Sequence, residues 1–284
     1  MKLIQWNIQW CRGLDGSVDP RRIVESARGF ADFDVLCLQE VAINHPALAG
    51  GAGEDQAAVL SSLLPGYEPV FAAAVDAPGE HGVRRRFGNM IFSRYPVRQV
   101  FRHSLPWPAE DGVPSMPRVA LEAVLDTPLG LLRVTTTHLE YYSTVQRDAQ
   151  VGRLRGLHAE ACGHARAKPS VEYSSGPFQP LARPLSSILC GDFNLPKGPA
   201  DPAYERMQAP IATDVPRYVD CWTHLHPVTP HPPTFCVHEH AHGGAPYCCD
   251  FVFVSEDLAP RLKSVAIDID TKASDHQPVI VTLE

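Results

Sequence analysis

Polar and charged residues stand repeatedly where apolar runs break off. Asn7 lies inside LIQWNI, Glu40 closes DVLCLQE, His138 closes LLRVTTTH, Asp192 and Asn194 close SSILCGDFN, Asp250 opens DFVFVS, and Asp275 with His276 precedes PVIVTL. Burying an isolated polar group costs about 1–3 kcal/mol, and a charge costs more. Such residues are therefore expected to converge on one another, on a metal or on a substrate. In an extended chain residues two apart share a face, so Asp192 and Asn194 can address one target beyond their strand end. The competing reading is an Asx-type turn in which both side chains bind only nearby backbone.

The elements that must position these groups are mostly strands. VALEAVL alternates Val119, Leu121, Ala123 and Leu125 as a half-buried strand should, and NMIFS adds another run of the same kind. Three helices separate some of the runs. Asp19 followed by Pro20 predicts a capped start for a helix carrying Ile23, Ala27 and Phe30. A second is expected over residues 54–64, and a longer one from Thr144 with Leu154, Leu157 and Ala161 at helical spacing. Many strands and few helices predict sheet packed on sheet with helices outside. Residues 165–185, rich in Pro and Ser, and 224–246, rich in His, Pro and Gly, read as surface loops.

The chain has 284 residues and is 44% hydrophobic, enough for one large core, and no linker divides it. A single domain over 1–284, acting as a monomer, is the expectation. The net charge of -7 supplies no global basic field, so tight nonspecific binding to nucleic acid is not expected. MKLIQWNIQW lacks the features of a secretory signal and no apolar stretch approaches membrane-spanning length, which predicts a soluble, cytoplasmic protein without a membrane partner. Eight cysteines, several in strand-like runs, suit reduced core residues, and the neighbouring Cys248 and Cys249 make no zinc knuckle.

Seven short motifs in order give the chain its resemblance: WNIQ at 6–9, LQE at 38–40, GNMIFSRYP at 88–96, THLE at 137–140, GDFN at 191–194, CDFVFVS at 249–255 and SDHQP at 274–278. In these the sequence resembles the endonuclease/exonuclease/phosphatase, or DNase I-like, superfamily. The resemblance implies a four-layered α/β sandwich, two mixed β-sheets face to face with helices outside. It also implies a Mg²⁺-dependent hydrolase of phosphoric esters.

The residue types agree with that chemistry. Glu40 offers a hard oxygen and Asn7 a neutral carbonyl, and neither thiolate nor imidazole is required, so Mg²⁺ or Mn²⁺ is favoured over Zn²⁺. Asp192 can hold and deprotonate an attacking water while Asn194 orients the water or a phosphoryl oxygen. His276, as imidazolium, would stabilise the transition state, with Asp250 orienting it and favouring its charge. Asp275 can assist at the metal or the water. His138 is a catalytic group by resemblance only, at a position where apurinic-site endonucleases usually carry Tyr.

Arg118 has two readings, a contact to substrate phosphate through its planar fork or a surface role. Arg84, Arg85 and Arg86 read as solvated charge. The histidines at 224, 226, 231, 238, 240 and 242 lack a fixed tetrahedral spacing, which favours a loop flanking the site over a transition-metal tract, though Cys236 is near. The function that these readings predict is an intracellular, metal-dependent phosphodiesterase or nuclease acting on nucleic acid or a smaller phosphodiester. The alternatives are a non-catalytic nucleic-acid-binding or regulatory protein with the same fold, and a small-molecule or lipid phosphatase.

Overall fold

A computed structural model describes residues 1–168, 176–239 and 244–284. Its first sheet holds β1 (Lys2–Asn7), β2 (Val35–Ile43), β3 (Glu68–Pro78), β4 (Arg84–Ser93), β11 (Leu262–Ile267) and β12 (Val279–Leu283), in the order β11-β12-β1-β2-β4-β3. The second holds β5 (Val97–Ser104), β6 (Val119–Thr127), β7 (Gly130–His138), β8 (Ser187–Asp192), β9 (Tyr218–Asp220) and β10 (Asp250–Ser255), in the order β5-β6-β7-β8-β10-β9. Each sheet is mixed. The β1–β2 and β7–β8 pairs are parallel and their neighbours antiparallel.

Alternation sorts the side chains into layers. On β1 and β2, Leu3, Val35 and Cys37 face inward against Leu121, Val134, Ile188 and Val252 of the other sheet. Ile4, Trp6, Leu36 and Leu38 point the opposite way, onto α1 (Pro20–Phe30) and α2 (Gln56–Leu63) through Ile23, Ala27 and Leu60. The second sheet repeats the arrangement: Leu189, Phe251 and Phe253 pack outward on Val151, Leu154 and Leu157 of α3 (Thr144–Arg166) and on Met207 of α4 (Pro202–Gln208). The result is the expected four-layered sandwich. Each fully buried Leu, Ile or Phe contributes about 1.5–3 kcal/mol to holding the layers together.

The three expected helices form, with starts fixed by side chains. Asp19 accepts from the Arg21 amide, Asp55 from Ala58, and Ser143 from Gln146, each satisfying a donor that has no partner within its helix. No described helix is long and apolar enough to cross a membrane.

Two expectations need correction. Glu40 does not end its strand: β2 runs on to Ile43 across a register shift between Leu38 and Val41, and Glu40 takes the positive φ of 62° that this bulge demands. An alternating pattern cannot reveal an inserted residue. The stretch 224–246 is not surface loop throughout. His224 lies in α5 (Cys221–Leu225), and Thr234, Phe235 and Cys236 are buried. Thr234 Oγ1 accepts from the amides of Cys249 and Asp250, which ties the segment to the start of β10. His240 and His242 lie outside the described residues.

Gly191 sits one residue before Asp192 where β8 presses on β7. Its φ is +148°, and a Cβ there would lie 1.9 Å from the Thr137 carbonyl oxygen. Backbone cannot yield as a side-chain tip does, so Gly191→Ala is expected to cost about 1–3 kcal/mol or more. Urea denaturation should show a lower midpoint with an unchanged slope. An unaltered midpoint would mean that the two strands have slack.

Candidate active site

Ladder register places the site. In the second sheet His138 pairs with Asp192, and Asp192 with Asp250, so three candidate side chains come from laterally adjacent strand ends. In the first sheet Asn7 pairs with Gln39, which brings Glu40 alongside through the bulge. The two lips meet at Asn7. Its Nδ2 donates to Glu40 Oε1 at 3.0 Å and to Asp192 Oδ2 at 3.0 Å, joining one sheet to the other.

The SDH segment closes the site from the β12 side. Ser274 Oγ donates to the Asn7 carbonyl at 2.8 Å, and Trp6 Nε1 donates to the His276 carbonyl at 2.9 Å. The His276 imidazole is thereby fixed between two carboxylates. Its Nδ1 lies 2.9 Å from Asp250 Oδ2 and its Nε2 3.7 Å from Asp192 Oδ2. Phe235 covers the ring, centroid to centroid 4.6 Å.

Asp192 and Asn194 are part turn and part site. The Asn194 amide donates to Asp192 Oδ1 at 2.9 Å, and Asn194 Nδ2 donates to the Leu139 carbonyl at 2.9 Å, so local bonding of the Asx kind is present. Asp192 Oδ2 nevertheless points away from that turn toward Asn7, His138 and His276.

His138 lies 3.9 Å from Glu40 and 3.5 Å from Asp192, measured to the nearest carboxylate oxygens. Asp275 accepts from Gln9 Nε2 at 2.7 Å. Arg118 is not a surface residue. It is 6% exposed, its Nε donates to Glu140 at 3.2 Å, and it lines a shallow recess with Glu40, Asn89 and His138. Its Nη1 has no hydrogen-bond partner among the described residues. Of the three arginines on β4, Arg84, exposed, pairs with Asp76 at 2.8 Å, Arg85, half-buried, donates through Nε to the Pro78 carbonyl, and Arg86 is exposed, as solvated charge largely should be.

The electrostatics follow from this crowding. Burial, with the charge of Asp275, pushes Glu40 up to about 7, although its side chain keeps 17% of its surface open. Burial likewise lifts Asp192 to about 6, with Asp250 adding and His276 opposing. The two histidines go opposite ways. Burial works against charge on His276, yet Asp250 and Asp192 together raise it well above the ordinary value. For His138 burial and the nearby Arg118 cation act together and hold it well below that value, hence neutral.

Glu40, displaced upward by burial and by the neighbouring Asp275, offers together with Asp275 a hard-oxygen donor pair that a divalent cation would suit. Asn7 is turned otherwise than its sequence role suggests, because its carbonyl oxygen accepts from the Gln9 amide at 3.1 Å while its NH₂ faces the carboxylates. Presenting that oxygen to a cation requires the amide to rotate.

Several residues escaped the sequence reading. Gln5 Nε2 donates to Asp250 Oδ1 at 2.8 Å, and its place two residues before Asn7, on the same strand face, was a usable signal. Glu140, partner of Arg118, stood in THLE without a visible partner. Nothing in the sequence indicates that the Cys249 thiol lies 3.4 Å from Asp250 Oδ2 and 3.8 Å from His276 Nδ1.

A sequence model of the Endonuclease/Exonuclease/phosphatase family matches residues 4–276. No curated protein sequence matches the chain. Among solved structures, an endonuclease/exonuclease/phosphatase from Beutenbergia cavernae is 25% identical, with 99% of this chain and 70% of that chain covered and a TM-score of 0.67. The mannosyl-6-phosphatase Bt3783 of Bacteroides thetaiotaomicron is 16% identical, with 100% and 99% covered and a TM-score of 0.66. D. rerio TDP2 complexed with a single-strand DNA product is 20% identical, with 100% and 98% covered and a TM-score of 0.62. At those identities the last two establish likeness of fold alone. With the family match spanning nearly its whole length, the chain belongs to the endonuclease/exonuclease/phosphatase family.

Proposed function

We propose that the chain is a divalent-metal-dependent phosphoesterase, a phosphodiesterase of nuclease type, that hydrolyses its substrate by in-line attack of water. One observation carries the reading: Asn7, His138, Asp192 and Asp250 at strand ends, Glu40 at the β2 bulge and His276 just ahead of β12 converge from both sheets into one connected polar cluster.

Glu40 and Asp275, with the Asn7 oxygen after amide rotation, are the residues that would hold Mg²⁺ or Mn²⁺. Such a cation would draw charge from a phosphoryl oxygen and from the leaving group. Asp192 accepts the proton of the attacking water through Oδ2, while the Asn194 amide fixes Oδ1. A carboxylate near 6 is poised for that task because it ionises at neutral pH yet remains basic. His276, charged and held by Asp250, offers Nε2–H to charge developing on phosphorus-bound oxygen. Gln5 fixes Asp250 in turn. Neutral His138 offers a ring nitrogen at the same opening, and the unpartnered Arg118 Nη1 is a donor for a substrate oxygen.

The net charge of -7 supports short, end-directed or small substrates over long polyanions. A phosphomonoester of a sugar is the second reading, supported by end-to-end likeness to the mannosyl-6-phosphatase. A Mg²⁺-supported screen over an activated phosphodiester, short single-stranded oligonucleotides, a hexose 6-phosphate and an activated phosphomonoester separates the two. Turnover of none of them, with Mg²⁺ or Mn²⁺, would leave a binding protein as the better account.

Asp192→Asn tests the base. Removing a proton acceptor should cost on the order of 10²–10⁴-fold in kcat. Because the carboxylate is buried and crowded, its melting temperature without metal should be unchanged or higher. A variant that melts early yet turns over normally would return Asp192 to the role of turn former.

Metal binding should also show as stability. Glu40 and Asp192 have ordinary values of 4.5 and 3.8 but titrate at about 7 and about 6 in the fold. Across that window the folded state binds more protons than the unfolded one, so stability is full below it and falls as pH rises through it. Mg²⁺ binds the ionised forms. The rise in melting temperature on adding Mg²⁺ should therefore be larger at about pH 8 than at about pH 5. An equal rise at both would place the ion elsewhere.

A further inference from the structure

Asp192, Cys249 and His276 each offer a ligand atom, and these atoms all lie within 4.8 Å of one another. Among the described residues this is the one His, Cys, Asp and Glu group so arranged. It is also differently composed from the Glu40 and Asp275 pair, since it adds a sulfur and an imidazole to one carboxylate. We propose that these three residues form a second, soft-metal site that takes Zn²⁺.

The supporting geometry is that of a prepared zinc ligand. A metal-binding histidine usually commits one ring nitrogen to a carboxylate, which aims the other at the ion. Here Asp250 holds His276 Nδ1 at 2.9 Å and Gln5 holds Asp250, so Nε2 is directed at Asp192 Oδ2, 3.7 Å away. Cys249 is fixed beside them by its amide, which donates to Thr234 Oγ1 at 3.1 Å. In a tetrahedral zinc site the ligand atoms stand about 3.3–3.8 Å apart, given the usual Zn–S, Zn–N and Zn–O lengths. The Cys249 thiol now lies 3.8 Å from His276 Nδ1 and 3.4 Å from Asp250 Oδ2, so rotation of its side chain from the Asp250 side toward Nε2 and Asp192 Oδ2 completes the site, leaving the fourth position open to water or a substrate oxygen.

On coordination Cys249 gives up its thiol proton to solvent and its hydrogen bond to Asp250, and His276 Nε2 gives up any proton it carries. Oxygen-seeking Mg²⁺ has little affinity for that sulfur, so the two sites sort ions by softness. Zinc would occupy both the base and the imidazole of the proposed reaction. Binding at the site does not depend on that reaction being correct.

The test is a Co²⁺ titration of the metal-free protein under anaerobic, Mg²⁺-saturated conditions. Wild type should develop a near-ultraviolet thiolate-to-cobalt charge-transfer band that added Zn²⁺ abolishes. The band should persist in Glu40→Gln and Cys236→Ser and vanish in Cys249→Ser. Histidine-only sites within 224–246 give no such band. Asp250→Asn should weaken Zn²⁺ binding about 10–100-fold. X-ray absorption of the wild-type zinc form, which needs no variant to fold, should show one sulfur with nitrogen and oxygen neighbours. Absence of the band in wild type, its survival in Cys249→Ser, or a zinc shell without sulfur overturns the proposal.

Discussion

The structure depends on keeping four carboxylates, Glu40, Asp192, Asp250 and Asp275, together where two sheets meet. Each is tied by a neutral or cationic partner: Asn7 to Glu40 and Asp192, His276 to Asp250, Gln9 to Asp275. Amides can bridge carboxylates without adding charge, but they cannot neutralise them. Glu40 and Asp192 consequently stay displaced upward, which is the basis of the proposal that a cation completes the cluster. The surrounding fold accepts this cost because a large apolar core lies between the sheets, with the few polar side chains there, such as Gln39 on Thr136, hydrogen-bonded across it.

The same crowding gives the two histidines different work. His276 lies against Asp250 and faces Asp192, so it carries charge despite burial. His138 has the Arg118 cation nearby and stays neutral. Two identical side chains in one opening thus offer a proton-rich and a proton-poor group, set by neighbours rather than by residue type. Sequence proximity does not predict this. Arg118 and His138 lie on adjacent antiparallel strand ends, with Ala120 opposite Thr137 in the ladder.

Much of the site was legible in the sequence because strand ends announce themselves. An apolar run that stops at Asp192, or starts at Asp250, marks both the element and the polar tip that joins the cluster. The layers followed from alternation, and the helix starts from Asp19 and Ser143. What stayed hidden depends on cross-strand partners. The bulge at Glu40, the burial of Arg118 on Glu140, the Gln5–Asp250 bond and the place of Cys249 all require knowing which strand lies beside which. The segment around Thr234 was misread because its composition is that of a loop, whereas its hydroxyl is spent on the backbone of β10.

The central claim is that the Glu40 carboxylate makes this cluster a hard-cation site. Titration calorimetry of Mn²⁺ into metal-free protein, compared with Glu40→Gln, tests it most directly, since the exchange removes one charge and keeps the shape. One Mn²⁺ should bind wild type, and affinity should fall by at least about tenfold, roughly 1.4 kcal/mol, in the variant. Equal affinity in the two proteins would contradict the account.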